Sequence, residues 1–214
     1  QAESPTGAAT TGEMEDYALY IGSPADFGDA PDADTGTGTG NYQTRSSDGG
    51  PNHTVVTGLA LGSSVDSDSG VLQDTTATAD DTNGSDDEEA VTSFSDLTVG
   101  ATSYNVTVNA TNSTGSNAFL RGYIDFNKDG DFLDTGEQSS TVTVGSDTTT
   151  NPRSFTVSFT PPSGMATGTT YARFRLSSIV GEASSSVGAS SSGEVEDYSL
   201  PIKVSISGTV FEDI

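Results

Sequence analysis

From residue 104 onward the chain alternates apolar and polar side chains with a period of two, the pattern of a strand that buries one face. Tyr104, Val106 and Val108 make one such face, and Val142 and Val144 another. Phe155, Val157 and Phe159 follow, stopped by Pro161-Pro162. In the next run Ala172, Phe174 and Leu176 share one side, with Arg173 and Arg175 opposite. The longest run is Tyr198, Leu200, Ile202, Val204 and Ile206. Helical spacing is missing, and breaks rich in Gly, Pro, Asn and Asp recur at sandwich-like intervals. The expectation is an all-β fold: an antiparallel, jelly-roll-like β-sandwich with long acidic loops.

Those loops matter because the 214-residue chain carries 31 acidic against 7 basic side chains, a formal net charge of -24. Residues 23 to 53 and 62 to 90 read as acidic or Gly/Ser/Thr-rich connections, long enough to need a function or a metal to order them. No Lys/Arg cluster exists to neutralise phosphates, which argues against nucleic acid and anionic membranes as partners. No signal peptide or membrane-inserting segment is visible. Cysteine is missing, so stabilisation points to oxygen-ligated metal instead of disulfides or thiolate-bound zinc.

The chain also contains a copy of itself. Ala2 to Ile21 aligns without gaps onto Ala183 to Ile202, with eleven of twenty positions identical, centred on Gly12-Glu13-Met14-Glu15-Asp16-Tyr17 and Gly193-Glu194-Val195-Glu196-Asp197-Tyr198. Residues 1–22 are expected to be the tail of a preceding repeat unit and 23–202 one β-sandwich domain. Residues 203–214 would be a linker or the first strand of a following β-domain. The alternative is one domain that uses the same strand motif twice.

Three carboxylate groupings are candidate metal ligands. In Asp125-Phe126-Asn127-Lys128-Asp129-Gly130-Asp131 the oxygen-bearing side chains take alternate positions and a glycine permits the turn, as a calcium loop requires. Asp125, Asn127, Asp129, Asp131 and Glu137 are its expected ligands, at a strand edge or between strands. A second group is Asp80, Asp81, Asp86, Asp87 and Glu88, with Glu89 beside it, whose like charges repel unless a cation intervenes. The third is Asp26, Asp29 and Asp32, which Glu194, Glu196 and Asp197 could complete. For each, the plain alternative is solvated surface charge. The cofactor expected is Ca2+.

Catalysis finds little support. His53 is the only histidine and is expected to be a structural hydrogen bonder; no nucleophile elbow or phosphate loop is present. The sequons at Asn52, Asn83, Asn105, Asn109 and Asn112 receive no function.

Together these residues resemble the GEVED domain, whose motif stands as Gly193-Glu194-Val195-Glu196-Asp197. The opening acidic-Gly-Asp-Ala-Pro-Asp element looks like Asp26 to Asp32, and the Asp-rich stretch like Asp80 to Glu89, with Glu89-Ala90-Val91 departing from the usual Asp-Gly-Val ending. His53, Asp125 to Gly130 and Tyr171 to Arg175 fit in order. The resemblance implies an extracellular, secreted or cell-surface β-module of a large bacterial protein. Two roles are expected: a calcium-stabilised structural module of a surface or filament protein, pairing with neighbouring copies or adjacent β-domains through terminal strands, or a calcium-dependent adhesin module binding glycans.

Overall fold

A computed structural model describes residues 24–68, 70, 72–79 and 90–205. Short strands come first: β1 (Ala25–Phe27), β2 (Thr37–Gly38), β3 (Asn41–Tyr42), β4 (Asn52–Thr54), β5 (Leu59–Leu61) and β6 (Leu97–Thr98). The longer ones follow as β7 (Tyr104–Asn112), β8 (Ala118–Ile124), β9 (Val142–Val144), β10 (Arg153–Phe159) and β11 (Gly168–Ser177). A single-turn helix α1 (Val180–Ala183), then β12 (Ala189–Ser190) and β13 (Glu194–Lys203), complete the described chain. Among the described residues no helix is long and apolar enough to cross a membrane.

The sandwich pairs a five-stranded sheet, ordered β6-β13-β11-β8-β9, with a three-stranded one, β10-β7-β5. Alternation sets the register. β10 runs antiparallel to β7 so that Phe155, Val157 and Phe159 stand opposite Val108, Val106 and Tyr104, while Ser154, Thr156 and Ser158 face outward with Asn109, Thr107 and Asn105. From the large sheet Leu120, Ile124, Ala172, Phe174, Leu176, Leu200 and Ile202 meet them in one apolar core. Gly122 makes room there, because a methyl group on it would lie 2.8–2.9 Å from Phe159, Phe174 and Val157. Most pairs are antiparallel, but β12 joins β4 and β6 joins β13 in parallel.

Two expectations are corrected. The alternation in β11 reads as a half-buried strand with its arginines toward solvent, yet Arg173 and Arg175 are both fully buried. A second layer covers them: the stretch expected to be loop supplies β1, β4 and the ribbon β2-β3, and with β12 the first two form a small sheet, β1-β4-β12, on the far face of the large sheet. There Tyr42, Tyr171, Tyr123 and Phe132 pack ring against ring at 4.9–6.0 Å, a second apolar cluster with Ala30 and Ala77. The last strand also ends sooner than its pattern suggests, at Lys203; Val204 beyond it is 63% exposed, and Ile206 lies outside the described residues.

Candidate functional site

β8 runs straight into the alternating-oxygen loop and delivers Asp125 to the sheet's edge, where it is fully buried. Its Oδ2 accepts hydrogen bonds from the Tyr42 hydroxyl at 2.8 Å and the Gly130 amide at 3.0 Å, and its Oδ1 accepts one from the Lys128 amide. The turn needs Lys128 at φ +67° and Gly130 at φ +91°. Only glycine fits at 130, since a Cβ would lie 1.7 Å from the Gly38 carbonyl oxygen of the crossing ribbon.

Farther along, Asn127 Oδ1 accepts from the Asp129 amide, Asp129 Oδ1 from the Asp131 amide and Asp131 Oδ1 from the Leu133 amide, a ladder of turns in which each side chain caps the backbone two residues on. Asn127 Nδ2 also donates to Asp129 at 3.0 Å and to Asp134 at 2.6 Å. The loop closes on Glu137, again fully buried, whose two oxygens accept from the amides of Phe126 at 2.9 Å and Asp134 at 3.2 Å.

Electrostatically this loop is one-sided. Burial, reinforced by the negative charge of Asp125, pushes the Glu137 carboxyl up to about 8. Burial also raises Asp125, against the hydrogen bonds it receives from Tyr42, Gly130 and Lys128. Tyr42 is pushed far above its ordinary value, by burial first and then by Asp125. Among the described residues no basic side chain reaches either carboxylate within ion-pair distance; Lys128 turns its ammonium to the Thr167 carbonyl at 3.3 Å instead. The donor set is oxygen throughout, the class calcium takes. Among the described residues no three His, Cys, Asp or Glu side chains converge closely enough, as they stand, to hold a metal.

The Asp26 group behaves differently. Asp26 accepts from the Val195 amide at 2.7 Å, Asp29 from the Ala79 amide at 3.0 Å, and Asp32 from the Thr44 and Arg45 amides at 2.8 and 2.7 Å. On β13, Glu194 accepts from the Leu61 amide and Glu196 from the Tyr198 hydroxyl. All of these carboxylates except Glu196, whose bond to Tyr198 is local to β13, staple one backbone segment to another. The alternation of β13 turns Asp197 to the other face, where it meets Arg173 Nε and Nη2 at 2.7 and 2.9 Å and the Ala30 amide at 2.9 Å. The group at Asp80, Asp81, Asp86, Asp87 and Glu88 lies outside the described residues.

Sequence reasoning missed the second polar centre, on the face covered by the outer layer. Arg173 is completed by the Ser186 carbonyl and Thr44 hydroxyl, both at 2.9 Å. Arg175 gives its donors to His53 Nε2 at 2.8 Å and to the carbonyls of Ser185, Val187 and Gly188 at 2.7–2.8 Å. Because His53 Nε2 accepts from Arg175, its Nδ1 carries the proton and donates to the Ser192 carbonyl at 2.9 Å. Burial, and then the charge of Arg175, bring His53 down to about 3, so the ring is neutral. Burial, then Arg173, lower Arg175 to about 10, which leaves it charged at neutral pH. The one sequence signal was two of the seven basic residues standing two apart in an apolar strand, and a period of two cannot distinguish water from a second protein layer.

Residues 119–201 match the family model for the GEVED domain, a span that runs from β8 through the acidic loop and β11 to β13. The resemblance read from the motifs is met over that span. No curated protein and no solved structure matches the chain.

Proposed function

We propose that this is a structural repeat module of an extracellular bacterial surface or filament protein, stabilised by calcium at the Asp125–Glu137 loop and joined to its neighbours through terminal β-strands. One observation carries the calcium reading: the two ends of a loop lined with oxygen donors are both fully buried carboxylates, with no cationic side chain paired to either among the described residues. Asp125, Asn127, Asp129 and Glu137 would hold the ion, with Asp131 at the rim. Calcium would supply the missing positive charge and draw β8 and the segment before β9 together. A bare pair of buried like charges is a burden that a divalent ion relieves.

The reading is non-catalytic: the single histidine is buried and spends both ring nitrogens on Arg175 and Ser192. Extracellular modules hold calcium weakly, with a Kd on the order of 10⁻⁴–10⁻³ M, because the medium supplies it at millimolar levels. Calorimetric titration of calcium into the full chain tests this. A site that saturates in the millimolar range and is lost in Asp125→Ala/Asp129→Ala, with the sandwich still folded, supports it. Binding of the same stoichiometry in that variant, or no heat at millimolar calcium, retires the loop as the site.

A further inference from the structure

The structure gives a reason for ten of the eleven residues shared between 2–21 and 183–202 in the second copy, the exception being Ala189, exposed on β12. Ala183 is fully buried, and its carbonyl accepts from the Tyr123 hydroxyl at 2.6 Å. The carbonyls of Ser185 and Gly188 take donors of Arg175. Gly188 and Gly193 have φ of +84° and +94°, and a Cβ on Gly193 would lie 1.9 Å from the Leu176 carbonyl oxygen. Glu194, Glu196, Asp197 and Tyr198 make the hydrogen bonds already described, while Leu200 and Ile202 enter the main core.

Differences fall mostly where the structure tolerates them. Ser184, Val187, Ser191, Ser199 and Pro201, replaced by Glu3, Thr6, Thr10, Ala18 and Tyr20, are exposed or half-buried. Met14 keeps an apolar side chain in place of buried Val195. Three buried serines, Ser186, Ser190 and Ser192, become Pro5, Ala9 and Thr11. Ser190 bonds Ser177 and Glu182, and Ser192 bonds Ser178, so a sheet that receives the first copy would differ at those partners. The copying follows the sheet-facing side chains and special turns more than the surface.

The partners of that constellation exist once in the described chain. Arg173 gives Nε and Nη2 to Asp197, Arg175 is filled by His53 and three carbonyls, and the amides of Ala30 and Leu61 are taken by Asp197 and Glu194. Among the described residues there is therefore no second set of partners for Asp16 and Glu13. We propose that residues 2–21 occupy the β13 position in the large sheet of another module of the same kind, one that presents its own Arg-x-Arg strand. This rests on the repeat-module reading and is independent of calcium.

The chain length between the two segments also limits how far apart two such modules could lie. β1 docks at Val195, eight residues up β13 from its end at Lys203, or about 26 Å at strand spacing. Gly22 aligns with Lys203, so only Ser23 and Pro24 separate the donated strand from β1, a link that spans about 10 Å at most. A link this short would hold two such modules in contact.

Two measurements, made in calcium, test this. In the full chain Asp16→Asn leaves the melting temperature within about 1 °C, whereas Asp197→Asn lowers it by about 10 °C; a comparable loss from Asp16→Asn overturns the proposal. Next, residues 24–182 are fused directly ahead of Ala2, beside a control that carries 183–202 at the junction. The fusion should resist protease throughout, and Asp16→Asn should now destabilise its upstream half as Asp197→Asn does the downstream one. An upstream half that stays protease-sensitive where the control's is resistant, or that is indifferent to Asp16→Asn, overturns it.

Discussion

The large sheet carries buried charge at two places, and they are balanced in opposite ways. On its covered face Arg173 meets Asp197, and Arg175 meets a neutral histidine and three carbonyls, so every guanidinium nitrogen has an acceptor supplied by the chain. At its edge Asp125 and Glu137 face backbone amides and a tyrosine hydroxyl, and the net charge stays negative. Desolvating a charge costs several kcal/mol, which a good counter-charge offsets and amides alone offset only in part. The first centre is balanced within the chain; the second is not, and the proposed calcium, or a proton, would balance it.

The largest expected effect comes from breaking the self-balanced centre. Asp197→Ala leaves Arg173 buried without its carboxylate and should cost roughly 3–5 kcal/mol by urea denaturation, the same in calcium and in chelator. A calcium-dependent loss would couple the two centres and break the comparison. Second in size is chelation of the wild-type chain at neutral pH. Calcium at 100- to 1,000-fold above its Kd stabilises by about 2.7–4.1 kcal/mol, and at the few-fold excess that millimolar calcium gives a weak site by roughly 1 kcal/mol. Denaturation curves that superimpose with and without chelator would remove the edge site from the account.

Titration sharpens the contrast further. Glu137 has a folded value near 8, above its ordinary 4.5, so its contribution is fully present below about pH 4.5 and lost as pH rises through about 8. His53 runs the other way: its value near 3 lies below the ordinary 6.5, so its contribution is present above 6.5 and lost as pH falls toward 3. In chelator, lowering the pH from 8 to 6.5 should therefore stabilise by roughly 1–2 kcal/mol, after which His53 opposes any further gain. In calcium only the decline below pH 6.5 should remain. The smallest effect belongs to the exposed Lys203–Asp96 pair, where Lys203→Met should change stability by less than about 0.5 kcal/mol; a larger change would mean surface charge matters as much as buried charge.

The sandwich core was legible because its faces are one-sided: Val106, Val157, Phe174 and Leu200 stand at alternate positions and all point into one interior. The covered face was not. Arg173 and Arg175 occupy the polar phase of β11, and nothing in a period of two reveals that β1, β4 and β12, separated from β11 by up to about 150 residues, close over it. The Asp125 loop was legible from spacing, since alternate oxygens followed by glycine describe a local turn. At Asp26, Asp29 and Asp32 a sequence shows the carboxylates but not the distant amides of Val195, Ala79 and Thr44 that they cap. His53 fits its structural reading, and its partner Arg175, 122 positions away, could come only from the fold.

The claim that the edge carboxylates await a cation is tested most directly by Glu137→Gln, which keeps the shape of the protonated side chain and removes its charge. Urea denaturation at pH 7.5 should show the variant more stable than wild type by about 1–3 kcal/mol in chelator, an advantage that millimolar calcium narrows by roughly 1 kcal/mol because wild type alone gains the bound ion. A variant destabilised equally under both conditions would show that Glu137 serves only its two amides, and that no ion belongs in this loop.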